Sequence, residues 1–344
     1  MRGLLSQLRL DGRVAWRGKF VHVTLGMSLV FALLLRFALP AELSHQQSQF
    51  FADATSERLF AGVGDEIGQD WIRPDEAAVR AAIIENGDAV GVVMRGSVAA
   101  PGVTFLLQGP ESADSRGLMA AVAAKAWQDR AQPQAPSHTV QMLGPPVAPP
   151  PFNVSWLPLL FGLDTVILGF FFAGVMILQE KQNGTVRFYR ASPGGTGRYV
   201  LSKVLVLTAM AMSGAAVMGA IVHPSALLNL PLLVLLATAT AALTLVGMGI
   251  SVFYDSLSSF FYPMAVVGLV LSLPMVGYSL PSASIPGLDF IPTWAVMFGG
   301  RELLFPTGRA AIVSGSFALI GVTLLVCAVG GTLAVHQRLM KERA

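Results

Sequence analysis

The chain has 344 residues, of which 53% are hydrophobic and 12% charged, and its mean hydropathy is +0.62. A soluble domain carries about 25% charged residues, so this composition excludes one, and recurring apolar runs of about 18 or more residues fit helices crossing a hydrocarbon core of about 30 Å. The formal net charge of +3 is small, Cys327 is the only cysteine, and the five histidines are scattered, so neither a disulfide framework nor a metal site is expected.

Residues 1–20 carry Arg2, Arg9, Arg13, Arg17 and Lys19 against Asp11, with Leu4, Leu5, Leu8, Val14 and Ala15 at helical spacing. The pattern predicts an amphipathic helix in the headgroup region, its cations toward anionic lipid. A first span follows at 21–39. A basic start before an apolar run also reads as a cleavable signal peptide. This run exceeds the usual signal core of about 7–15 residues and no small-x-small site follows it, so a retained anchor is expected.

Acids outnumber bases over residues 42–150. A helix is predicted over 74–86 with Gly87 as its stop, strands over 89–94 and 103–107, and a second helix over 112–131. Pro133, Pro136, Pro145, Pro146, Pro149, Pro150 and Pro151 then make a stiff return connector.

Five further spans are predicted at 157–178, 199–222, 230–253, 259–280 and 311–335. The N-terminus, the 179–203 interruption and the 337–344 tail, with Arg338, Lys341 and Arg343, are basic, so they are expected to face the cytoplasm. The expected fold is therefore an all-α polytopic membrane bundle of six transmembrane helices with a small extracytoplasmic α/β domain over 42–150. It would lie in the plasma (inner) membrane with both termini cytoplasmic. Within the five-helix part, 157–336, the stretch 281–309 is broken by Pro281, Pro286, Pro292 and Pro306. Such backbone is tolerated at membrane depth only inside protein or along a cavity, so outer half-helices are expected there.

The charged interruption has internal grammar. Asn183-Gly184 reads as a helix stop and Thr185 as the cap of a short new helix. Val186 and Tyr189 share one face of that helix, Arg187 and Arg190 point elsewhere, and Ser192-Pro193 ends it. The plain reading is a solvated basic loop that fixes topology. Inside the spans, Arg36 and Asp164 stand at similar depth; either they pair, or Arg36 snorkels to headgroups while Asp164 faces a wet cavity. Arg301 and Glu302 form either an outer gate or a solvated pair.

Glu180-Lys181, Gly184-Thr185, Ser192-Pro193, Tyr199 and Lys203, with Gly247-Met248-Gly249, Gly277, Pro281, Pro286 and Pro292-Thr293 further on, resemble the permease subunits of type-2 ATP-binding-cassette (ABC) exporters. The resemblance implies that the 180–198 segment is a coupling helix docking in a separate ATPase subunit. Its contact set would be Glu180, Lys181, Thr185, Arg187, Arg190 and Ser192, bounded by Gly184 and Pro193. It also implies two permease copies or paralogues and two ATPases per working unit, surrounded by membrane lipids, with no nucleic acid. No G-x-x-x-x-G-K-[ST] occurs in the chain, so ATP and magnesium would enter through the ATPase and this chain would bind no cofactor itself. The function so implied is outward movement of an amphipathic drug, antibiotic or lipid-like molecule. The competing reading is a membrane-anchored ligand-binding or sensory protein. An enzyme is not expected, because no set of carboxylates, histidines or an activated serine gathers at one depth.

Overall fold

Six helices are long and apolar enough to cross a membrane, matching in number and order the runs read from the sequence. The computed structural model describes residues 2–41, 48–55, 58, 69–85, 89–97, 100–106, 150–191, 195–280 and 285–341. It divides into a helical unit, Met1–Leu43 with Val147–Ala344, and a second unit, Ser44–Pro146.

Helix α1, Arg2–Arg17, precedes the first span α2, Phe20–Ala38. The Gly18 N–H closes α1 on the Val14 carbonyl at 2.7 Å, and Lys19 turns the chain with φ 63. The inward face of α1 carries Gln7, Asp11 and Ala15, all buried, while Arg9, Arg13 and Arg17 are exposed.

In the second unit, β1 (Ser48–Thr55) pairs parallel with β2 (Ala89–Ser97), and β3 (Ala100–Leu106) runs antiparallel to β2. A parallel pair needs a crossover, supplied by α3, Glu76–Glu85, whose Val79, Ala82 and Ile83 pack on Phe50, Ala52 and Val93. Phe51 and Met94 fill the other face. Strand β1 escaped the sequence reading because both of its faces are covered, so Phe50-Phe51 break the alternation that marks a half-exposed strand. The expected Gly87 stop, the helix over 112–131 and all but the end of the proline connector lie outside the described residues.

The helical unit continues with α4 (Phe152–Gln182), α5 (Val186–Ala191), α6 (Gly195–Val222), α7 (Leu230–Ser251), α8 (Leu257–Ser279), α9 (292–304) and α10 (Ala310–Met340). Leu232, Leu235, Leu236, Ala239 and Leu243 of α7 pack with Leu157, Phe161, Val166 and Phe170 of α4 and with Ala215 and Met218 of α6. Gly247 permits the closest approach, since a methyl group there would overlap the Phe170 carbonyl. In contrast, α8 and α10 leave Tyr262, Val266, Leu269, Leu325, Val326 and Val329 exposed. The broken stretch resolves into a 3-10 turn, Leu288–Phe290, and α9, whose Thr293 hydroxyl donates to the Leu271 carbonyl at 2.5 Å.

Candidate functional site

Helix α4 ends as the sequence predicts. Gly184 takes φ 69, and its N–H donates to the Lys181 carbonyl at 3.2 Å while the Thr185 N–H reaches Glu180 O at 3.0 Å. This pair of bonds is the Schellman closure that a left-handed glycine allows. The Thr185 hydroxyl donates to that same Glu180 carbonyl at 3.2 Å, so it finishes α4 and does not cap α5, whose Phe188 N–H instead donates to the Thr185 carbonyl at 3.1 Å. In α5, Val186 and Tyr189 are buried, Arg187 and Arg190 are exposed, and Phe188 is 78% exposed. Ser192 and Pro193 lie outside the described residues.

Beneath α5 lies a buried charge network. The Lys203 ammonium, from the third turn of α6, stands 2.5 Å from Glu180 Oε1 and 3.1 Å from Asp11 Oδ1. The Tyr199 hydroxyl donates to Glu180 at 2.6 Å; Tyr189 and Ser202 donate to Asp11 at 3.1 and 2.5 Å. Every carboxylate oxygen of the two acids therefore has a donor. Lys203 also lies 4.8 Å from the Tyr199 ring centroid and 5.6 Å from that of Tyr189, within cation–π range. Burial, with Glu180 and Asp11 close by, pushes the Tyr189 phenol upward, so it stays a donor. One cation between two acids is tolerable without water only because hydroxyls complete both carboxylates. The network thus joins four pieces, α1, α4, α5 and α6, through buried side chains.

The residues of the expected contact set consequently have different surroundings. Glu180 is buried in the network. The Lys181 ammonium donates to the carbonyls of Val252 and Tyr254 at 2.9 and 2.6 Å, closing the end of α7. The Arg190 Nε–H donates to the Leu339 carbonyl at 2.8 Å, tying α5 to α10. Phe188 instead borders a cleft of about 910 Å³ between α5 and α1, with Leu5, Arg9, Leu10 and Arg13 on the opposite wall.

Arg36 and Asp164 do not meet. Asp164, buried in a π-helical stretch of α4 (Phe161–Ile167), accepts a hydrogen bond from Ser28 of α2, and Arg36 is exposed. Ser28, not Arg36, meets the acid, and Arg36 lies eight residues, about 12 Å, farther along α2, so the two expected partners differ in depth as well as in helical phase. Arg301 and Glu302 separate too. Glu302 accepts from the Thr307 N–H and hydroxyl, each at 2.7 Å, and from the Arg309 N–H at 3.0 Å, while Arg301 lies over the Tyr278 ring. Burial works against the Glu302 charge, but these bonds outweigh it and hold the carboxyl below the usual range. Neither the expected ion pair nor a solvated Arg301–Glu302 pair is formed.

Asp11 and Ser202 were not singled out in the sequence, and Tyr199 and Lys203 were only motif positions. The available signal was Lys203 itself, a charge on the edge of the apolar run and inside the predicted 199–222 span, which requires a partner if buried. Asp11, alone among cations and four residues from both Gln7 and Ala15, marked the face that supplies one.

No family model matches the chain, and no solved structure matches it significantly. Over 133 residues it is 32% identical to proteins named fluoroquinolones export permease from two strains of Mycobacterium tuberculosis, CDC 1551 / Oshkosh and H37Rv. The match covers 38% of this chain and 55% of each relative, so the chain spans about half the length of the curated relatives it matches. This multi-pass membrane protein is thus similar to named export permeases, and it resembles the membrane-spanning subunits of type-2 ABC exporters.

Proposed function

We infer that the chain is the membrane-spanning subunit of an ATP-driven exporter, paired with a second permease copy and powered by a separate ATPase. In this reading α1, α5 and the end of α10 face the cytoplasm, and the β1–β3 unit lies on the outer side. The ATPase seats against the Phe188 side of α5. The observation that carries the reading is the Asp11–Lys203–Glu180 network. It makes a six-residue helix, too short to be stable alone, a rigid extension of three longer helices. A push on α5 then reaches α4 and α6 through Tyr189 and its acids. A simple topology-setting loop needs cations but no such joint.

The substrate we assign is an amphipathic drug of the class in the relatives' names, a fluoroquinolone. A membrane-anchored ligand-binding protein would need neither six spans nor this joint. The test is co-purification of the chain, in detergent, with any P-loop ATPase encoded beside it, for wild type and Phe188→Asp. Retention by wild type and loss in the variant, with unchanged membrane insertion, supports the reading. Equal retention removes α5 as the docking element, and no retention by either removes the ATPase.

A further inference from the structure

On the other side of α5 lies a second cleft, of about 1110 Å³, bounded by α5, the end of α7 and the end of α10. Arg187, Arg190 and Arg338 line it and all three are exposed. Two of them are already aimed. Arg190 is held through its Nε–H on the Leu339 carbonyl, and the Arg338 guanidinium carbon lies 5.2 Å from the Phe253 ring centroid. The one acid in the lining, Asp255, faces the Lys181 ammonium at 3.4 Å. Among the described residues, then, three guanidiniums share the cleft with no carboxylate left to balance them. Each retains N–H donors in the planar fork that matches phosphate oxygens.

Beside Gln182 and Gly184, the lining also holds the apolar Val186, Val252, Phe253, Leu339 and Met340. Leu339 and Met340 end α10, and Val252 and Phe253 directly follow α7. Phe253 is 57% exposed. Guanidiniums beside an apolar wall at the ends of two spans match a phosphate joined to a glycerol and acyl chains. An acidic protein surface would use the arginines but leave Phe253 without an apolar partner. We propose that this cleft binds the headgroup of an anionic phospholipid, whose phosphate bridges Arg187 and Arg190 of α5 to Arg338 of α10. Placement at the inner leaflet rests on the orientation given under the proposed function; the binding chemistry does not. A lipid held there ties α5 to the last span on the side away from Phe188, so it sets the resting position of the helix.

The test uses the purified full chain alone, so the existence of an ATPase does not enter. After delipidation, retained phosphatidylglycerol and phosphatidylcholine are counted by native mass spectrometry at low and high salt. The wild-type chain keeps phosphatidylglycerol in preference, and salt weakens that preference. Arg187→Gln/Arg190→Gln/Arg338→Gln lowers retention by about tenfold or more. Arg9→Gln/Arg13→Gln, which removes two of the α1 cations expected to face headgroups, lowers it much less. Melting temperatures in detergent verify that the variants are folded; if the triple variant is not, the three single variants carry the comparison. Equal retention by the cleft variants and wild type overturns the proposal, as does equal loss in the Arg9/Arg13 control. Displacement of the lipid by inorganic phosphate alone would assign the cleft to a free anion. That result also overturns the proposal.

Discussion

The Lys203 ammonium lies 2.5 Å from Glu180 Oε1, and the two side chains are 0% and 7% exposed. Because Glu180 lies in the last turn of α4 and Lys203 in the third turn of α6, this pair fixes where two spans meet. Asp11 draws α1 onto the same ammonium. Buried ion pairs contribute little net stability but specify one arrangement against alternatives. At the base of a short exposed helix, that specificity is what a mechanical joint requires.

Removing the cation should expose the cost of the arrangement. Lys203→Met leaves Asp11 and Glu180 buried without a countercharge, and the expected destabilisation is about 3–5 kcal/mol. Asp11→Asn/Glu180→Gln/Lys203→Met, which removes all three charges, should recover much of that loss. Thermal unfolding of the detergent-solubilised chain reads both. A single variant as stable as wild type contradicts the network.

Ser28 and Arg36 make a paired test inside the membrane. Ser28→Ala removes the hydroxyl that donates to Asp164 and should cost about 1–3 kcal/mol, the penalty of a buried polar group left unpaired. Arg36→Gln should change melting little, since that side chain is exposed. The opposite ranking would restore the Arg36–Asp164 pair.

Much of the bundle was legible from residues alone, because membrane spans announce themselves by run length, and the number and order of the spans hold in the structure. The stop at Asn183-Gly184 and the inward Val186 and Tyr189 were legible as well, since they depend on neighbours in sequence. What stayed hidden depends on partners far away. Lys203 meets Asp11 across 192 residues, and Asp164 meets Ser28 across 136. Helix register and phase decide such partnerships, and Arg36 lies about two turns along α2 from the residue that meets Asp164. Strand β1 was hidden for a related reason: with both faces covered it leaves no alternation to read.

Glu302 gives a pH-dependent prediction. Its carboxyl is held below the ordinary 4.5 by bonds from Thr307, Gly308 and Arg309 that outweigh its burial. A depressed folded value means the stabilisation is fully present above pH 4.5 and is lost as pH falls through that lower value. Glu302→Gln should therefore lower the melting temperature at neutral pH, by the equivalent of about 1–3 kcal/mol. The gap to wild type should close in acid. A gap that is constant with pH would show that the carboxylate charge is not what holds the turn before α10.

The central claim is that motion of α5 reaches the spans through Tyr189 and the acids beneath it, and Tyr189→Phe tests this most directly. The variant keeps the ring packed on Tyr199 and loses the hydroxyl that donates to Asp11. The measurement is transport of the proposed fluoroquinolone substrate per bound ATPase, in proteoliposomes containing the chain and the proposed ATPase. The account predicts normal ATPase binding with transport lowered by about tenfold, the equivalent of one charge-assisted hydrogen bond of about 1.5 kcal/mol. Unchanged transport per bound ATPase would contradict it.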